Sequence, residues 1–137
     1  MRYLLDTNIL VFMLIDSSLL SDDVLSVIED YSNSLYISSV SVNEIIHLFK
    51  YGKIKRDKET NETELFALLE QLGIKISYIT EKHLRVCAGL TCKDNHKDSN
   101  DHLIISQAIS DKITIISSDH SFDYYTNQGL NLLFNKK

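Results

Sequence analysis

The stretch Tyr3-Leu4-Leu5-Asp6-Thr7-Asn8 decides the fold, because a short apolar run leads directly into an acidic residue and then into the apolar residues 9–15. The first run is typical of a buried strand and the second of a helix. In open α/β proteins, functional sites usually lie at the edge of the sheet where strands end and helices begin. Asp6 is therefore a candidate functional residue.

A second acidic residue, Asp119, follows the strand-like run of residues 113–116 after two serines. Both acids also have a purely local interpretation. The Asp6 side chain would cap the helix that follows it, and the Asp119 side chain would form an Asx turn with His120 and Ser121. Two acids at strand ends also suggest a metal site, so both interpretations are kept.

Strand and helix patterns alternate along the chain. This alternation predicts βαβ units and hence an α/β fold, a three-layer α/β/α sandwich with a mainly parallel five-stranded sheet. The predicted strands are residues 3–5, 35–37, 75–77, 113–116 and 131–134. The predicted helices are residues 9–15, 22–31, 40–51, 62–72 and 80–91, with a further helix from residue 98.

Length and charge limit the function further. A chain of 137 residues can bury one core, so we expect a single domain over residues 1–137. The net charge of -5 argues against a protein whose main work is to hold a nucleic-acid backbone, but it is compatible with an acidic site that first binds cations. The longest apolar stretch, residues 9–15, is too short to cross a bilayer, and no small-residue cleavage site follows a basic start. We expect no membrane association and a cytoplasmic location.

Two further acids, Glu44 and Asp101, are predicted near helix starts, within residues 41–44 and 98–101. Both segments fit a capping box, in which an oxygen-bearing cap residue precedes an acid by three positions. The places that follow parallel strands all face one edge of the sheet, so these acids would meet the first two. Converging carboxylates repel one another unless a divalent cation lies between them. Oxygen ligands favour Mg²⁺ or Mn²⁺, ions that serve nucleases by activating water and neutralising phosphate charge.

Four segments resemble the PIN domain family, and within it the VapC-type toxins of bacterial toxin-antitoxin pairs. They are residues 4–8 (LLDTN), 38–44 (SSVSVNE), 96–108 (HKDSNDHLIISQA) and 117–122 (SSDHSF). The resemblance follows the chain in order and spacing, and its first and third segments are specific in combination. It implies a five-stranded parallel sheet between helices, and an RNA-cutting toxin, often dimeric, whose cognate antitoxin blocks the site.

The resemblance also implies roles for individual residues. The catalytic, metal-binding acids would be Asp6, Glu44, Asp101 and Asp119, and the accessory residues would be Asp98, Thr7, Asn8 and Ser117. Asp98 has a second interpretation, as a helix cap that fixes the turn before Asp101. On this resemblance we expect a Mg²⁺- or Mn²⁺-dependent endoribonuclease. Its expected partners are RNA, a small antitoxin protein and a second copy of the chain.

The third segment departs from the family pattern. Ser99, Asn100 and His102 stand where the toxins usually have proline, an aromatic residue and arginine. The missing arginine removes a possible phosphate contact, which leaves the substrate and the rate open.

Two other functions are compatible with parts of the sequence. A degenerate PIN module would bind RNA or a partner protein without catalysis, although such modules usually lose one or more of the acids. A phosphatase of the haloacid dehalogenase type also begins with a strand that ends in aspartate. It needs a second acid two residues later to protonate the leaving group, where this chain has Asn8.

Histidines and a basic segment are natural further candidates. None of the five histidines fits a zinc-ligand spacing, and a water activated by a metal needs no histidine base. His102 and His120 are therefore neighbours of the acids without a required role. The basic residues between positions 50 and 58 either guide RNA toward the acids or form the solvated end of the preceding helix.

Overall fold

A computed structural model describes residues 1–136, and Lys137, the last residue of the predicted domain 1–137, lies outside them. The strands are β1 Arg2–Leu5, β2 Ser34–Ser38, β3 Ile74–Ser77, β4 Thr114–Ser117 and β5 Leu132–Phe134. The α-helices are α1 Thr7–Ile15, α2 Asp22–Glu29, α3 Ser39–Lys50, α4 Leu65–Gln71, α5 Glu81–Gly89 and α6 Ser99–Asp111. Ser17–Leu19 and His120–Gln128 form 3₁₀ helices. Across residues 1–136, no helix has the length and apolar character needed to cross a bilayer.

The strands form one sheet in the order β3-β2-β1-β4-β5, and every neighbouring pair is parallel. The prediction of a mainly parallel five-stranded sheet is confirmed. β1 is the central strand, and its Leu5 pairs in register with Ile37 of β2 and Ile116 of β4. The carboxyl ends of parallel strands lie along one edge of the sheet, so Asp6 follows the central strand at that edge.

Side chains alternate across β1, and each face of the sheet therefore carries its own core. Leu5 packs in a cluster to which α1, α2, α3 and α4 contribute, whereas Leu4 packs on the opposite face with α6 and the second 3₁₀ helix. Both leucines are almost completely buried. Helices on both faces confirm the three-layer α/β/α sandwich. The single core expected from the chain length is in fact divided in two by the sheet.

Local capping explains where the predicted helix bounds differ. α4 begins later than predicted, because Asn61 Oδ1 accepts hydrogen bonds from the N–H groups of Thr63 and Glu64 and holds a turn before the helix. α3 ends just before Gly52, whose φ of 73° suits a residue without a Cβ. The segment after Asp119, for which the sequence predicts only a turn, continues as a 3₁₀ helix.

Candidate metal centre

A cavity of about 550 Å³ opens where β1 ends. The residues that line it are Asp6, Thr7, Asn8, Asn43, Glu44, His47, Leu48, Asp98, Asn100, Asp101 and Asp119. The fold thus brings together all four predicted metal-binding acids and three of the four predicted accessory residues. The fourth, Ser117, does not line the cavity but donates a hydrogen bond to Asp6.

Asp6 is the most buried acid of the cavity, with 5% of its surface exposed. Its Oδ1 accepts a hydrogen bond from Thr7 N at 2.8 Å, so it caps α1, and its Oδ2 accepts one from Ser117 Oγ at 2.8 Å. Burial raises the pKa of Asp6 to about 7, and the negative charges of Asp101 and Glu44 add to the shift. The capping interpretation is therefore correct, and it does not exclude a place in the cavity.

Ser117, the last residue of β4, joins two of the acids. While its hydroxyl donates to Asp6, its oxygen accepts a hydrogen bond from Asp119 N at 3.0 Å. Asp119 Oδ1 in turn accepts from Ser121 N at 2.8 Å, which is the predicted Asx turn and the start of the 3₁₀ helix. Ser117 is fully buried, so the ends of β1 and β4 are tied together below the acids.

Glu44 reaches the cavity from the second turn of α3. The predicted capping box over residues 41–44 is wrong, because α3 begins earlier and Ser38 caps it by accepting from Val40 N at 3.1 Å. Ser41 is instead a fully buried residue of the helix. Its Oγ and Glu44 Oε1 both lie 2.8 Å from Thr7 Oγ1. Thr7 has one hydroxyl proton and a carboxylate can only accept, so Thr7 donates to Glu44 and accepts from Ser41.

Burial is also the main reason why the pKa of Glu44 is raised. The hydrogen bond from Thr7 opposes that shift, and the charges of Asp98 and Asp101 reinforce it. Glu44 therefore holds a proton more readily than an exposed glutamate does.

Asp101 lies in the first turn of α6, and Asp98 caps that helix. Asp98 Oδ1 accepts hydrogen bonds from Asn100 N at 3.0 Å and from Asp101 N at 3.3 Å, as the capping interpretation predicts. Asp98 also lines the cavity, so its position fits both interpretations. Burial raises the pKa of Asp101, a hydrogen bond from His96 lowers it, and the charge of Asp98 raises it again.

His96 does not line the cavity but contacts Asp101, and the sequence does not single it out. It is 7% exposed, its Nε2 lies 3.0 Å from Asp101 Oδ2, and its Nδ1 lies 2.8 Å from Tyr125 Oη. One potential ligand atom from each of His96, Asp101 and Asp119 lies within 4.8 Å of the others. No short spacing marks His96, because these contacts depend on the loop before α6 and on the packing of the second 3₁₀ helix.

The two histidines singled out in the sequence do not line the cavity. His102 Nε2 donates to the backbone oxygen of His96 at 2.7 Å, and the His120 ring packs against Phe134 with centroids 4.6 Å apart. The basic segment between residues 50 and 58 does not line the cavity either. The lining residues outside the predicted site set are Asn43, His47, Leu48 and Asn100.

Within the described part of the chain, neither lysine nor arginine lines the cavity. The raised pKa values of Asp6, Glu44 and Asp101 follow from this arrangement of buried carboxylates without a permanent protein cation. The donor atoms are mostly carboxylate oxygens, which suit a hard divalent cation such as Mg²⁺ or Mn²⁺. A bound cation would relieve the repulsion among the acids, so these residues fit a metal centre.

The sequence matches the PIN domain over residues 3–127, which is most of the chain. The chain therefore belongs to the PIN domain family. No curated protein matches it at a significant level. The phosphatase alternative finds no support in the family match.

Solved structures of bacterial VapBC proteins share the fold. VapBC2 from Rickettsia felis, bound to a DNA fragment from its promoter, has a TM-score of 0.65 and 22% identity, covering 99% of this chain and 100% of that chain. DNA-bound VapBC from Salmonella typhimurium has a TM-score of 0.67 and 17% identity, covering 98% of each chain. VapBC-1 from nontypeable Haemophilus influenzae has a TM-score of 0.64 and 19% identity over the full length of both chains. At these identities the likeness concerns the fold alone.

Proposed function

We propose that this PIN domain is a Mg²⁺- or Mn²⁺-dependent endoribonuclease and acts as the toxin of a toxin-antitoxin pair. One observation carries the proposal: the four predicted metal-binding carboxylates, together with that of Asp98, line one cavity that no lysine or arginine of the described residues lines. A binding module would have no need to keep Asp6, Glu44 and Asp101 together, because burial and mutual repulsion raise the pKa values of all three and make their charged forms costly without a cation. We take residues 1–137 as one nuclease domain.

Asp6, Asp101 and Asp119 would hold the cation directly or through one water, and Glu44 would help hold it or orient the attacking water. When bound, the cation would neutralise charge on the scissile phosphate and lower the pKa of a bound water. Thr7 orients Glu44 and Ser117 orients Asp6 through hydrogen bonds of 2.8 Å. Glu44 lines the same cavity as the three aspartates, so it is placed to orient the attacking water beside the cation.

The direct test is cleavage of a structured RNA by the purified chain with Mg²⁺, with Mn²⁺ and with EDTA. We expect internal cleavage only with a divalent cation, and none by D101N or E44Q prepared in parallel as controls for contaminating nuclease. Metal-independent cleavage, or equal cleavage by wild type and D101N, would refute the nuclease. Release of phosphate without strand cleavage would indicate the phosphatase, and RNA binding alone would indicate the degenerate module.

The antitoxin partner is supported by the fold shared with VapBC proteins. The test is to express the chain with the product of the adjacent short reading frame and to purify the chain by a tag. We expect a co-purifying small protein that suppresses RNA cleavage. Light scattering of the chain alone tests the expected homodimer, and a monomer at high concentration would refute it.

A further inference from the structure

His96 lies at the centre of a buried chain of hydrogen bonds that ends on Asp101. The backbone N–H of Lys93 donates to Tyr125 Oη at 3.0 Å, Tyr125 Oη lies 2.8 Å from His96 Nδ1, and His96 Nε2 lies 3.0 Å from Asp101 Oδ2. Tyr125 is fully buried and His96 nearly so. The ring of His96 also packs edge to face with Tyr125, with centroids 5.5 Å apart.

The donors and acceptors in this series of hydrogen bonds determine the tautomer of His96. The phenol of Tyr125 carries one proton and already accepts from the backbone of Lys93. Its own proton therefore has His96 Nδ1 as its acceptor, since an unused buried hydroxyl proton is costly. A neutral imidazole that accepts at Nδ1 carries its proton at Nε2. His96 Nε2 therefore carries a proton and donates it in a hydrogen bond to Asp101, so this nitrogen has no lone pair available to bind a metal.

The backbone of the loop holds His96 in place independently of Tyr125. His96 N donates to the backbone oxygen of Lys93 at 3.0 Å, and the backbone oxygen of His96 accepts from His102 Nε2 at 2.7 Å. The rings of His96 and His102 meet edge to face with centroids 4.8 Å apart. The donor at Nε2 is therefore fixed by backbone and side-chain contacts on several sides.

We propose that His96 and Tyr125 are positioning residues that hold the Asp101 carboxylate in the orientation required to bind the divalent cation, and that His96 is not itself a ligand. The proposal rests on the proposed metal-dependent function. Asp101 Oδ2 is engaged by His96, and Oδ1 makes no hydrogen bond to the described residues, so Oδ1 remains available to the cavity. Carboxylates that bind metals are generally held by hydrogen bonds from neighbouring residues, and loss of such a partner typically weakens metal binding about 10- to 100-fold.

His83 offers a matched control in the same chain. It is as buried as His96, accepts from Thr80 N through Nδ1 at 3.0 Å and lies 2.9 Å from Asp111 Oδ1 through Nε2. Asp111 ends α6 and lies about 15 Å along the helix from Asp101, outside the cavity. Substitution of His83 therefore removes a similar hydrogen-bonded pair without touching the acids that line the cavity.

The experiment measures Mg²⁺ and Mn²⁺ binding by calorimetry on the whole chain, for wild type, H96A, H96Q, Y125F, H83A and H83Q. The glutamine amide can donate from about the position of Nε2. We expect H96A to bind both cations about 10- to 100-fold more weakly. We expect H96Q to remain within about threefold of wild type, with the Mn²⁺ to Mg²⁺ ratio unchanged, and Y125F to fall between them. H83A and H83Q should keep wild-type affinity.

Electron spin echo measurements on bound Mn²⁺ supply a second readout. The proposal expects no nitrogen coupling from a directly coordinated imidazole. Such a coupling in wild type that is lost in H96Q, or a loss of Mn²⁺ affinity much larger than that of Mg²⁺, would overturn the proposal and make His96 a ligand. Wild-type affinity in H96A would also overturn it. If H96A does not fold, H96Q and Y125F decide.

The results that would refute the proposed function differ from those that would refute only this inference. A wild-type chain that binds neither cation refutes both the metal-dependent nuclease and this inference. A wild type that binds the cation and cuts RNA, together with unchanged affinity in H96A and Y125F, refutes only the inference.

Discussion

Replacement of Asp6 by asparagine should stabilise the metal-free protein, and more so as the pH rises. Asp6 is almost fully buried, and its pKa is raised from 3.8 to about 7, chiefly by burial. Above pH 3.8, Asp6 loses its proton in the unfolded chain, whereas in the folded chain it keeps that proton until about pH 7. The free energy of unfolding of the wild type therefore falls with pH over this window. Asparagine has no such ionisation.

The size of the effect follows from the pKa shift. A shift from 3.8 to about 7 corresponds to about 4 kcal/mol of destabilisation once both states are ionised. The asparagine of D6N would still accept from Thr7 N, but the Ser117 hydroxyl would lose its acceptor, which costs about 1 kcal/mol. The cost at Ser117 does not depend on pH. The advantage of D6N over wild type should therefore grow by about 3 kcal/mol between about pH 5 and about pH 8.

The assay is urea unfolding of wild type and D6N in EDTA at several pH values, with the slopes compared to exclude a change in the unfolded state. D30N is the control of opposite sign. The pKa of Asp30 is lowered, chiefly by a hydrogen bond from the Ser32 hydroxyl, so its contribution is present above pH 3.8 and is lost in acid. D30N should be less stable than wild type at high pH. A D6N advantage that does not change with pH would refute the reasoning.

Three further predictions test the metal centre. Mg²⁺ at 100 times its dissociation constant should raise the free energy of unfolding by about 2.7 kcal/mol. The increase should be smaller below pH 7, where Asp6 holds a proton that competes with the cation. Thermal unfolding with and without EDTA measures the increase. D98S should retain most activity, whereas D98A should lose about 1 kcal/mol of stability and some metal affinity; equal loss of activity in both at unchanged stability would show that the charge itself serves the metal site. S117A should lose about 1 to 3 kcal/mol at high pH and bind Mg²⁺ more weakly in calorimetry, because Asp6 and Asp119 N both lose a partner; wild-type values would contradict the bridge.

The sequence predicts the sheet and the four acids because both depend on short-range patterns. The apolar runs around Leu5 and residues 113–116 determine strands, and an acid that directly follows a parallel strand must lie at the carboxyl edge. Asp6 and Asp119 lie just past the ends of β1 and β4, and Glu44 lies in the helix that directly follows β2, so the approach of these three acids follows from the topology. Asp101 lies in α6, which follows α5 and a loop, so its place in the cavity depends on helix packing as well. The division of the core in two also follows from alternation along β1, although the chain length alone suggests a single core.

Contacts between segments that are distant in the chain could not be predicted from the sequence. The start of α3 is decided by Ser38, one of three serines in residues 38–41, and the pattern offers no means of choosing it over Ser41. His96 depends on Tyr125, 29 positions away, and on the turn of the loop before α6. Residues that hold a metal ligand through hydrogen bonds occur at no fixed sequence distance from that ligand, because many different loop conformations can bring the same side chain to the same position.

The acids of this cavity combine two roles that are usually separate. Asp6, Asp98 and Asp119 each cap a helix through a side-chain oxygen, and each also lines the cavity. Helix caps tolerate asparagine about as well as aspartate, whereas a hard cation needs the negative charge. Alanine removes both contributions together, so loss of activity in an alanine variant says little about metal binding. Asparagine retains the cap and removes the charge, and it is the substitution that separates the fold of the site from its chemistry.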